Sequence, residues 1–413
     1  MTGPAGAEGG GPGAGHEALV DRLVRAGIIR TPAVEAAFRA VPRAVFLAGT
    51  GAAPDEDRVT ILVDGAGRST SALSQPSLVA SMLEQLGVER GQRVLEVGTG
   101  IGYTAALLAR VVGPEGTVVS VELDAALAAR ARARLARAGV GTVEVVAGDG
   151  GYGVPSRAPW DRILLTAGAW DLPPPLLEQL APTGRLVAPL SLRGAWCAVA
   201  FEPRAGHLAS VGAFGCHVTT RLRGAFAGPG RRHALGPGPD AWLDLDDGRP
   251  VDGAALWARL TGPARAAPTD VWATGHEVLD GLLLWLALHE GDFGVLETAR
   301  EDLVPAVVRL PGKLPLTGGA LGRDALALLT RAGGAGVGPE ATRTPFPVGV
   351  RAWGPATDLA ERTVAHVEAW LRAGRPAART LRVRVVPAGH GRAAPGEQVL
   401  RRRWTDVVVG WAR

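Results

Sequence analysis

The sequence predicts an α/β protein with a doubly wound parallel sheet, followed by an additional C-terminal α+β domain. Three observations lead to this prediction. Apolar runs of strand length alternate with helical patterns between Val94 and Leu190, and a glycine-rich turn joins the first of these strands to a helix. The composition then changes near residue 224. Alternation of this kind favours a parallel sheet, because parallel strands are joined by crossover helices.

The first strand and its helix are separated by glycines at alternate positions. The mostly apolar run Val94–Val97 precedes Gly98, Gly100 and Gly102, and the helical pattern Thr104–Val112 follows. A glycine turn at a helix N-terminus lets a ligand lie against the backbone, because no side chain blocks its approach. The spacing Gly-x-Gly-x-Gly differs from the Gly-x-Gly-x-x-Gly that dinucleotides prefer.

Acidic residues follow the next two strands. The second strand, Thr117–Val121, ends on Glu122, twenty residues after Gly102, and Asp149 lies between two glycines after the third strand, Val143–Ala147. An acidic group at the end of the second strand suits the paired hydroxyls of a ribose. Together with the glycine turn, these features favour S-adenosylmethionine as the cofactor.

A segment dense in hydroxyl groups, Arg68–Ser77, precedes the amphipathic helical pattern Leu78–Leu86. Two interpretations fit these residues. Ser74 or Ser77 could cap the helix, or the segment could form a substrate loop that lies over the methyl group of the cofactor. The residues alone do not decide between the two.

Composition divides the chain into four segments. Residues 1–15 are rich in glycine, alanine and proline and are predicted to form a disordered leader. The alternating strands and helices fill residues 16–224, and the Gly-, Pro- and Arg-rich stretch 225–240 is predicted to be a linker. Residues 241–413 are predicted to form the C-terminal domain, which includes a strand–helix–strand unit at 348–386.

Charge and composition argue against several classes of protein. The net charge is +4, and the arginines are dispersed instead of forming the continuous basic face with aromatics that RNA binding requires, so no nucleic-acid partner is expected. The most apolar run, Gly281–Leu288, is too short to span a bilayer. Cys197 and Cys216 are wrongly spaced for zinc and too few for a disulfide scaffold. We therefore expect a cytoplasmic protein without a metal site.

Several short motifs between residues 18 and 224 are shared with one enzyme family. They include Val41-Pro-Arg-Ala-Val-Phe46, Ser74-Gln-Pro76, Val94–Tyr103, Gly148–Tyr152 and Trp160-Asp161. With these motifs the chain resembles the protein-L-isoaspartate (D-aspartate) O-methyltransferases. The glycine turn is common to many methyltransferases, whereas Ser-Gln-Pro before the cofactor strand is much more specific. The resemblance implies a Rossmann-like domain that uses S-adenosylmethionine and releases S-adenosylhomocysteine.

The resemblance also implies roles for individual residues. Ser74 would lie at the methyl-acceptor site as the catalytic residue, with substrate contacts from Ser71, Gln75 and Pro76. The predicted cofactor-binding residues are Glu96, Gly98, Thr99, Gly100, Gly102, Tyr103, Glu122, Leu123, Asp149 and Gly150. Methylation of a carboxylate needs no general base, because a carboxyl group with a pKa of about 4 is already ionised at neutral pH.

Two departures from the family pattern bear on the substrate. Ala72-Leu73 stands where the family has Thr-Ile, and the chain continues for nearly two hundred residues beyond the first domain. Both features resemble an extended branch associated with ribosomally made, modified peptides such as lanthipeptides. That likeness implies methylation of an ordinary aspartate in such a peptide, leading to an aspartimide (succinimide) or isoaspartate, with residues 241–413 recognising the peptide. The alternative is repair of isoaspartate in damaged proteins.

Overall fold

The computed structural model describes residues 12–63, 69–218, 220–238, 240–332, 344–355 and 358–412. The chain forms two compact units, of which the first ends at Leu164 and the second begins at Leu165. No helix within these described residues is long and apolar enough to cross a membrane.

The first unit alternates helices and strands. Its elements are α1 (Pro12–Arg25), α2 (Pro32–Ala40), α3 (Arg43–Leu47), β1 (Thr60–Val63), β2 (Ser69–Leu73), α4 (Pro76–Leu86), β3 (Arg93–Val97), α5 (Tyr103–Val112), β4 (Thr117–Glu122), α6 (Ala125–Arg137), β5 (Val143–Ala147) and β6 (Trp160–Leu165). Strands β3 to β6 lie in the order β6-β3-β4-β5. The pairs β3–β4 and β4–β5 are parallel.

The strand order of this sheet reverses at β3. Strands β4 and β5 extend the sheet on one side of β3, whereas β6 lies on the other side. This arrangement confirms the predicted doubly wound sheet. In such sheets a ligand binds outside the carboxyl ends of the strands, at the point where the order reverses. The glycine turn follows β3 at that point.

Strands β3 and β4 are buried along nearly their whole length. Val94, Leu95 and Val119 have no exposed surface, as expected for parallel strands that are covered on both faces. Two polar residues, Glu96 and Ser120, are equally buried in these strands. Because a buried polar group is costly unless it is hydrogen-bonded, their presence marks this end of the sheet as a site.

The N-terminal region differs from the sequence prediction. Helix α1 begins at Pro12, so residues 12–15 are helical, and the rest of the predicted leader lies outside the described residues. The hydroxyl-dense segment is not a loop throughout, because β2 pairs antiparallel with β1 in a hairpin.

The helix-capping interpretation of the serines is wrong. Helix α4 begins at Pro76 with Gln75 at the N-cap position, and no side chain at that position caps it. The N–H of Ser77 instead donates to the Asp57 carboxylate, at 2.8 Å. A distant acidic residue therefore supplies the acceptor that local serines were expected to supply.

The second unit is mostly antiparallel. Its elements are α7 (Pro174–Gln179), β7 (Leu180–Leu192), β8 (Ala195–Arg204), β9 (His207–Cys216), β10 (Arg231–Leu235), β11 (Ala241–Leu245), α8 (Gly253–Leu260), β12 (Arg265–Ala273), α9 (Gly275–Glu277), a π-helical turn (Val278–Leu282), α10 (Leu283–His289), β13 (Phe293–Thr298), β14 (Leu316–Leu321), β15 (Leu326–Arg331), β16 (Phe346–Trp353), α11 (Asp358–Arg372), β17 (Leu381–Pro387), β18 (Glu397–Arg401) and β19 (Thr405–Trp411).

Two sets of strands organise this unit. Seven strands form one sheet in the order β10-β11-β13-β14-β15-β16-β12. Its core combines strand leucines with Leu256 and Leu260 of α8 and with Trp353. The other set has the order β18-β19-β17-β9-β8-β7. Strands β8 and β9 pair antiparallel, from Trp196↔Cys216 to Arg204↔His207.

The predicted linker, 225–240, contains a strand. Strand β10 pairs antiparallel with β11 from Arg231↔Leu245 to Leu235↔Ala241. The glycines and prolines that suggested a linker flank this strand at residues 228–230 and 236–239. Composition alone did not predict this strand, because the turn residues at both of its ends outnumber the five residues that pair with β11.

The predicted strand–helix–strand unit joins two different sheets. Strand β16 belongs to the seven-stranded sheet, whereas β17 pairs with β9 and β19. In the β9–β17 pair, Leu208 lies opposite Val385. This pairing crosses the domain boundary that the sequence suggested, and it argues against independent domains at residues 16–224 and 241–413.

Candidate functional site

The glycine turn between β3 and α5 has the backbone conformation that its glycines allow. The φ angle is +102° at Gly98, +55° at Gly100 and +93° at Gly102, a region that side chains disfavour. The N–H groups of Gly98 and Thr99 donate to the Val121 carbonyl at 2.8 and 3.2 Å. The turn is therefore fixed to the carboxyl end of the neighbouring strand.

Glu122, the predicted ribose-binding acid, lies beside this turn. Its Oε2 accepts the N–H of Gly100 at 2.8 Å, and its Oε1 accepts the N–H of Asp124 at 3.1 Å. The residue is buried. Each carboxylate oxygen retains a further lone pair for another donor, so these two bonds orient Glu122 without exhausting it.

Glu96 is fully buried next to the turn. Its Oε2 accepts the Ser120 hydroxyl at 2.5 Å, and the Ser120 and Thr99 hydroxyl oxygens are 2.6 Å apart. Either hydroxyl can donate in the contact between Ser120 and Thr99. Among the described residues, Glu96 Oε1 has no hydrogen-bond partner. Burial raises the Glu96 pKa from 4.5 to about 8, opposed by the Ser120 bond and assisted by the charge of Glu122.

Tyr103 is placed differently from the sequence prediction. Its ring is 1% exposed and makes edge contacts with the rings of Phe38 and Phe46, at centroid distances of 6.2 and 5.5 Å. Burial raises the pKa of its hydroxyl well above the ordinary value. The backbone of Tyr103 begins α5 just after the turn, but its side chain belongs to the core of the first unit.

The remaining predicted cofactor residues lie at the carboxyl ends of β4 and β5. Leu123 exposes 41% of its surface and directly follows the buried Glu122. Asp149 is half-buried, and its Oδ1 accepts the N–H of Gly151 at 3.0 Å. A Cβ at Gly150 would lie 2.6 Å from Val97 Cγ1, so only glycine fits there.

Strand β2 passes over the glycine turn. A Cβ at Gly100 would lie 3.6 Å from Ser71 Oγ and 4.0 Å from the Ala72 carbonyl oxygen. Ser71 is buried at this contact. The hydroxyl-dense segment therefore approaches the turn, as the substrate-loop interpretation requires.

Ser74 and Gln75 connect β2 to α4. Both are half-buried, and the buried Pro76 is the first residue of the helix. The Gln75 side chain donates from Nε2 to Asp57 Oδ2 at 3.0 Å. The structure thus brings the predicted acceptor-site residues together in one short connection.

Sequence reasoning missed Ser120, Asp57 and Arg43. Ser120 had a usable signal, because it is the one hydroxyl within the apolar run Val118–Val121. Arg43 lies inside a motif that was noticed for its resemblance only, and Asp57 lies in a loop without periodicity. The last two make contacts that no local pattern reveals.

Comparison with known proteins identifies the family. A family model described as protein-L-isoaspartate(D-aspartate) O-methyltransferase matches residues 14–210. Protein-L-isoaspartate O-methyltransferase 2 of Archaeoglobus fulgidus is 41% identical over 198 residues, which cover 47% of this chain and 86% of that relative. The protein-L-isoaspartate O-methyltransferase of Methanoculleus marisnigri is 42% identical over 197 residues, or 48% of this chain and 86% of that relative.

The chain belongs to this family. It is an S-adenosylmethionine-dependent carboxyl O-methyltransferase with a Rossmann-like fold, and it continues beyond the matched segment. A solved structure titled protein-L-isoaspartate O-methyltransferase is similar to this chain, at 23% identity and a TM-score of 0.48. The alignment covers 95% of this chain and 98% of the chain in that structure.

The residues at the turn fit the cofactor of the family. Gly98, Gly100 and Gly102 place no side chain at the turn, and Glu122 offers free lone pairs for hydroxyl donors. The buried Oε1 of Glu96 adds a polar atom that has no hydrogen-bond partner among the described residues, and exposed Leu123 adds an apolar surface. The bound cofactor supplies a methyl group activated on a sulfonium. This chain must bind and orient both partners and exclude water from the acceptor oxygen.

Proposed function

We propose that the protein methylates the free α-carboxylate of isoaspartyl residues in damaged proteins, as the first step of their repair. The observation that carries the proposal is the match of residues 14–210 to the family, at 41% identity to a named isoaspartate methyltransferase. The approach of β2 to the glycine turn supports it, because the acceptor and methyl donor must meet at this edge of the sheet.

In this proposal the chain's residues orient and do not exchange protons. Ser74 is the catalytic residue that orients the acceptor carboxylate, with Ser71, Gln75 and Pro76 forming its surroundings. Glu96, the glycine turn and Thr99 flank the methionine end of the cofactor. Glu122 and Leu123 flank its ribose, and Asp149 and Gly150 flank its adenine. Since the acceptor is ionised at neutral pH, rate depends on alignment and on exclusion of water.

A second candidate function rests on the residues beyond the family match. Residues 211–413 fall outside the matched segment and include a complete seven-stranded sheet. A unit of this size favours an added task, such as recognition of one ribosomally made peptide whose ordinary aspartate is methylated. The product would then lead to an aspartimide. The match to isoaspartate methyltransferases favours repair over this candidate.

The two candidates differ in the linkage that they methylate. The experiment offers the enzyme two synthetic hexapeptides that differ only in whether the central residue is isoaspartyl or aspartyl, and measures methyl transfer from labelled S-adenosylmethionine. If the function is repair, kcat/KM should be at least about 100-fold higher for the isoaspartyl peptide than for the aspartyl peptide. Ser74→Ala should lower kcat/KM for the isoaspartyl peptide by at least about 10-fold. Turnover of neither linear peptide would contradict the repair function. Transfer to aspartate alone would favour the peptide-specific candidate.

A further inference from the structure

Asp57 contacts the acceptor segment on both sides of Pro76. Its Oδ2 accepts the Gln75 side-chain N–H at 3.0 Å, and its Oδ1 accepts the Ser77 backbone N–H at 2.8 Å. An ionised carboxylate can only accept hydrogen bonds. The Gln75 amide must therefore turn its nitrogen toward Asp57, which directs its oxygen away from Asp57.

Arg43 fixes the loop that carries Asp57. Its guanidinium donates to the Glu56 carbonyl at 3.0 Å and to the Arg58 carbonyl at 2.9 Å, the residues on either side of Asp57. Arg43 has no exposed surface, and burial lowers its pKa. Burying a guanidinium is unfavourable unless its donors are used. The buried cation therefore supplies directional bonds that an apolar side chain could not.

The same short helix contacts the cofactor side of the site. Arg43 begins α3, and Phe46 of α3 packs against the Tyr103 ring at a centroid distance of 5.5 Å. Tyr103 is the first residue of α5, directly after Gly102. Helix α3 thus contacts the loop that carries Asp57 and the helix that follows the glycine turn.

From these contacts we infer that Asp57 and Arg43 are positioning residues for methyl transfer. Asp57 orients Gln75 and the start of α4, and Arg43 fixes Asp57 relative to the glycine turn. The inference rests on the proposed role of Ser74 and Gln75 at the acceptor site. Alignment dominates a reaction of this kind, and a misplacement of about 1 Å can lower the rate about 100-fold.

The first test compares Asp57→Ala with Asp57→Asn and with the control Glu56→Gln. Glu56 is the neighbouring acid, about half exposed, and its carboxylate pairs with Arg58 on the surface. For the isoaspartyl hexapeptide we expect Asp57→Ala to lower kcat about 10- to 100-fold, with cofactor affinity by calorimetry within about 3-fold of wild type. Asp57→Asn keeps an acceptor for the Ser77 N–H and should lose less. The control should match wild type.

A double-mutant cycle with Gln75→Ala separates positioning from general stability. If Asp57 acts through Gln75, the double variant should be no slower than the slower single variant. Multiplicative losses would overturn the inference, as would unchanged kcat in Asp57→Ala. Hydrogen exchange at the Ser77 amide supplies a readout independent of substrate, with protection lost in Asp57→Ala and kept in Glu56→Gln. An inactive wild-type enzyme would instead contradict the repair function, while the exchange result still tests the contact.

Discussion

At the scale of single residues, the glycine turn depends on backbone angles that only glycine adopts without strain. Gly100 combines a φ of +55° with an N–H that donates to Glu122. A β-branched residue is a strong outlier at positive φ. The turn, Glu122 and strand β2 meet at this one position, so its conformation sets the geometry of the proposed cofactor site.

The first prediction concerns Gly100→Val. The side chain should strain the turn and enter the space between it and Ser71, weakening S-adenosylmethionine binding by at least about 10-fold in calorimetry. Gly91→Val is the matched control, because Gly91 also has a positive φ, of +79°, but no atom within 4 Å of an added Cβ. The control should lose stability and keep its affinity. Equal affinity in the two variants would contradict the assignment of the turn.

A second prediction concerns how Glu96 makes the thermal stability of the ligand-free protein depend on pH. Its pKa is raised from 4.5 to about 8 by burial. When folding raises the pKa of a carboxyl group, the protonated form stabilises the folded protein. This contribution is complete below the pKa of the group in the unfolded chain, near 4.5, and is lost as the pH rises through the folded pKa of about 8. The melting temperature of wild type should therefore fall between pH 6 and pH 9 more steeply than that of Glu96→Gln.

The control for this experiment is Glu89→Gln, which changes an exposed acid in the same unit. It should retain the wild-type slope of melting temperature against pH. A parallel slope in Glu96→Gln would show that Glu96 is ionised in the folded protein throughout this range. The pH range excludes the unfolded-state titration of other carboxylates, since those groups titrate near pH 4.

At the scale of elements, strand β17 connects late residues to the end of the family-matched segment. Val385 of β17 lies opposite Leu208 of β9 and is 2% exposed. The N–H of Val383 also donates to the Ser210 hydroxyl at 2.9 Å, although 173 residues separate them in the chain. These contacts make β9 an interior strand of its sheet instead of an edge.

Val385→Ala tests this connection. Removing buried methyl groups should lower the free energy of unfolding by about 1–3 kcal/mol, and amide exchange should accelerate in β9 as well as in β17. Arg382→Ala is the matched control, because Arg382 is exposed on the same strand. It should change stability by less than about 0.5 kcal/mol. Unaltered exchange in β9 would contradict the pairing.

At the scale of the whole molecule, the second unit cannot be divided where composition suggested. Residues 225–240 include β10, and the β9–β17 pair joins residues on either side of that stretch. A recognition role for residues 241–413 remains a proposal. A fragment ending at residue 224 would lack the strand that pairs with β9, so its loss of activity would have two explanations.

The fourth prediction therefore concerns a nick and not a truncation. A specific protease site inserted between Gly236 and Gly238 cuts the turn that follows β10. The two fragments should elute together in size-exclusion chromatography and separate only in denaturant, because strands from both fragments pair in one sheet. Intact chain carrying the same insertion is the control. Elution as two separate folded fragments would support the original domain boundary.

The sequence by itself determined strands β3 to β5 and the glycine turn, because their signals are local. Buried parallel strands read as continuous apolar runs, glycines mark positions of positive φ, and Glu122 follows its strand directly. The Ser-Gln-Pro motif suggested the acceptor segment by likeness, and that role stays a proposal. Each of these features depends on a few neighbouring residues, so strands β3 to β5 and the glycine turn were predicted nearly to their ends.

Only the tertiary structure decided the contacts that join distant segments. It placed the Tyr103 ring in the core, Asp57 against Gln75 and Ser77, Arg43 under the Asp57 loop, and β17 beside β9. A carboxylate in an irregular loop has no period that reveals its partner, and a strand pairs equally well with many apolar strands. Such contacts are selected by the packing of the complete chain, which no short stretch of sequence specifies.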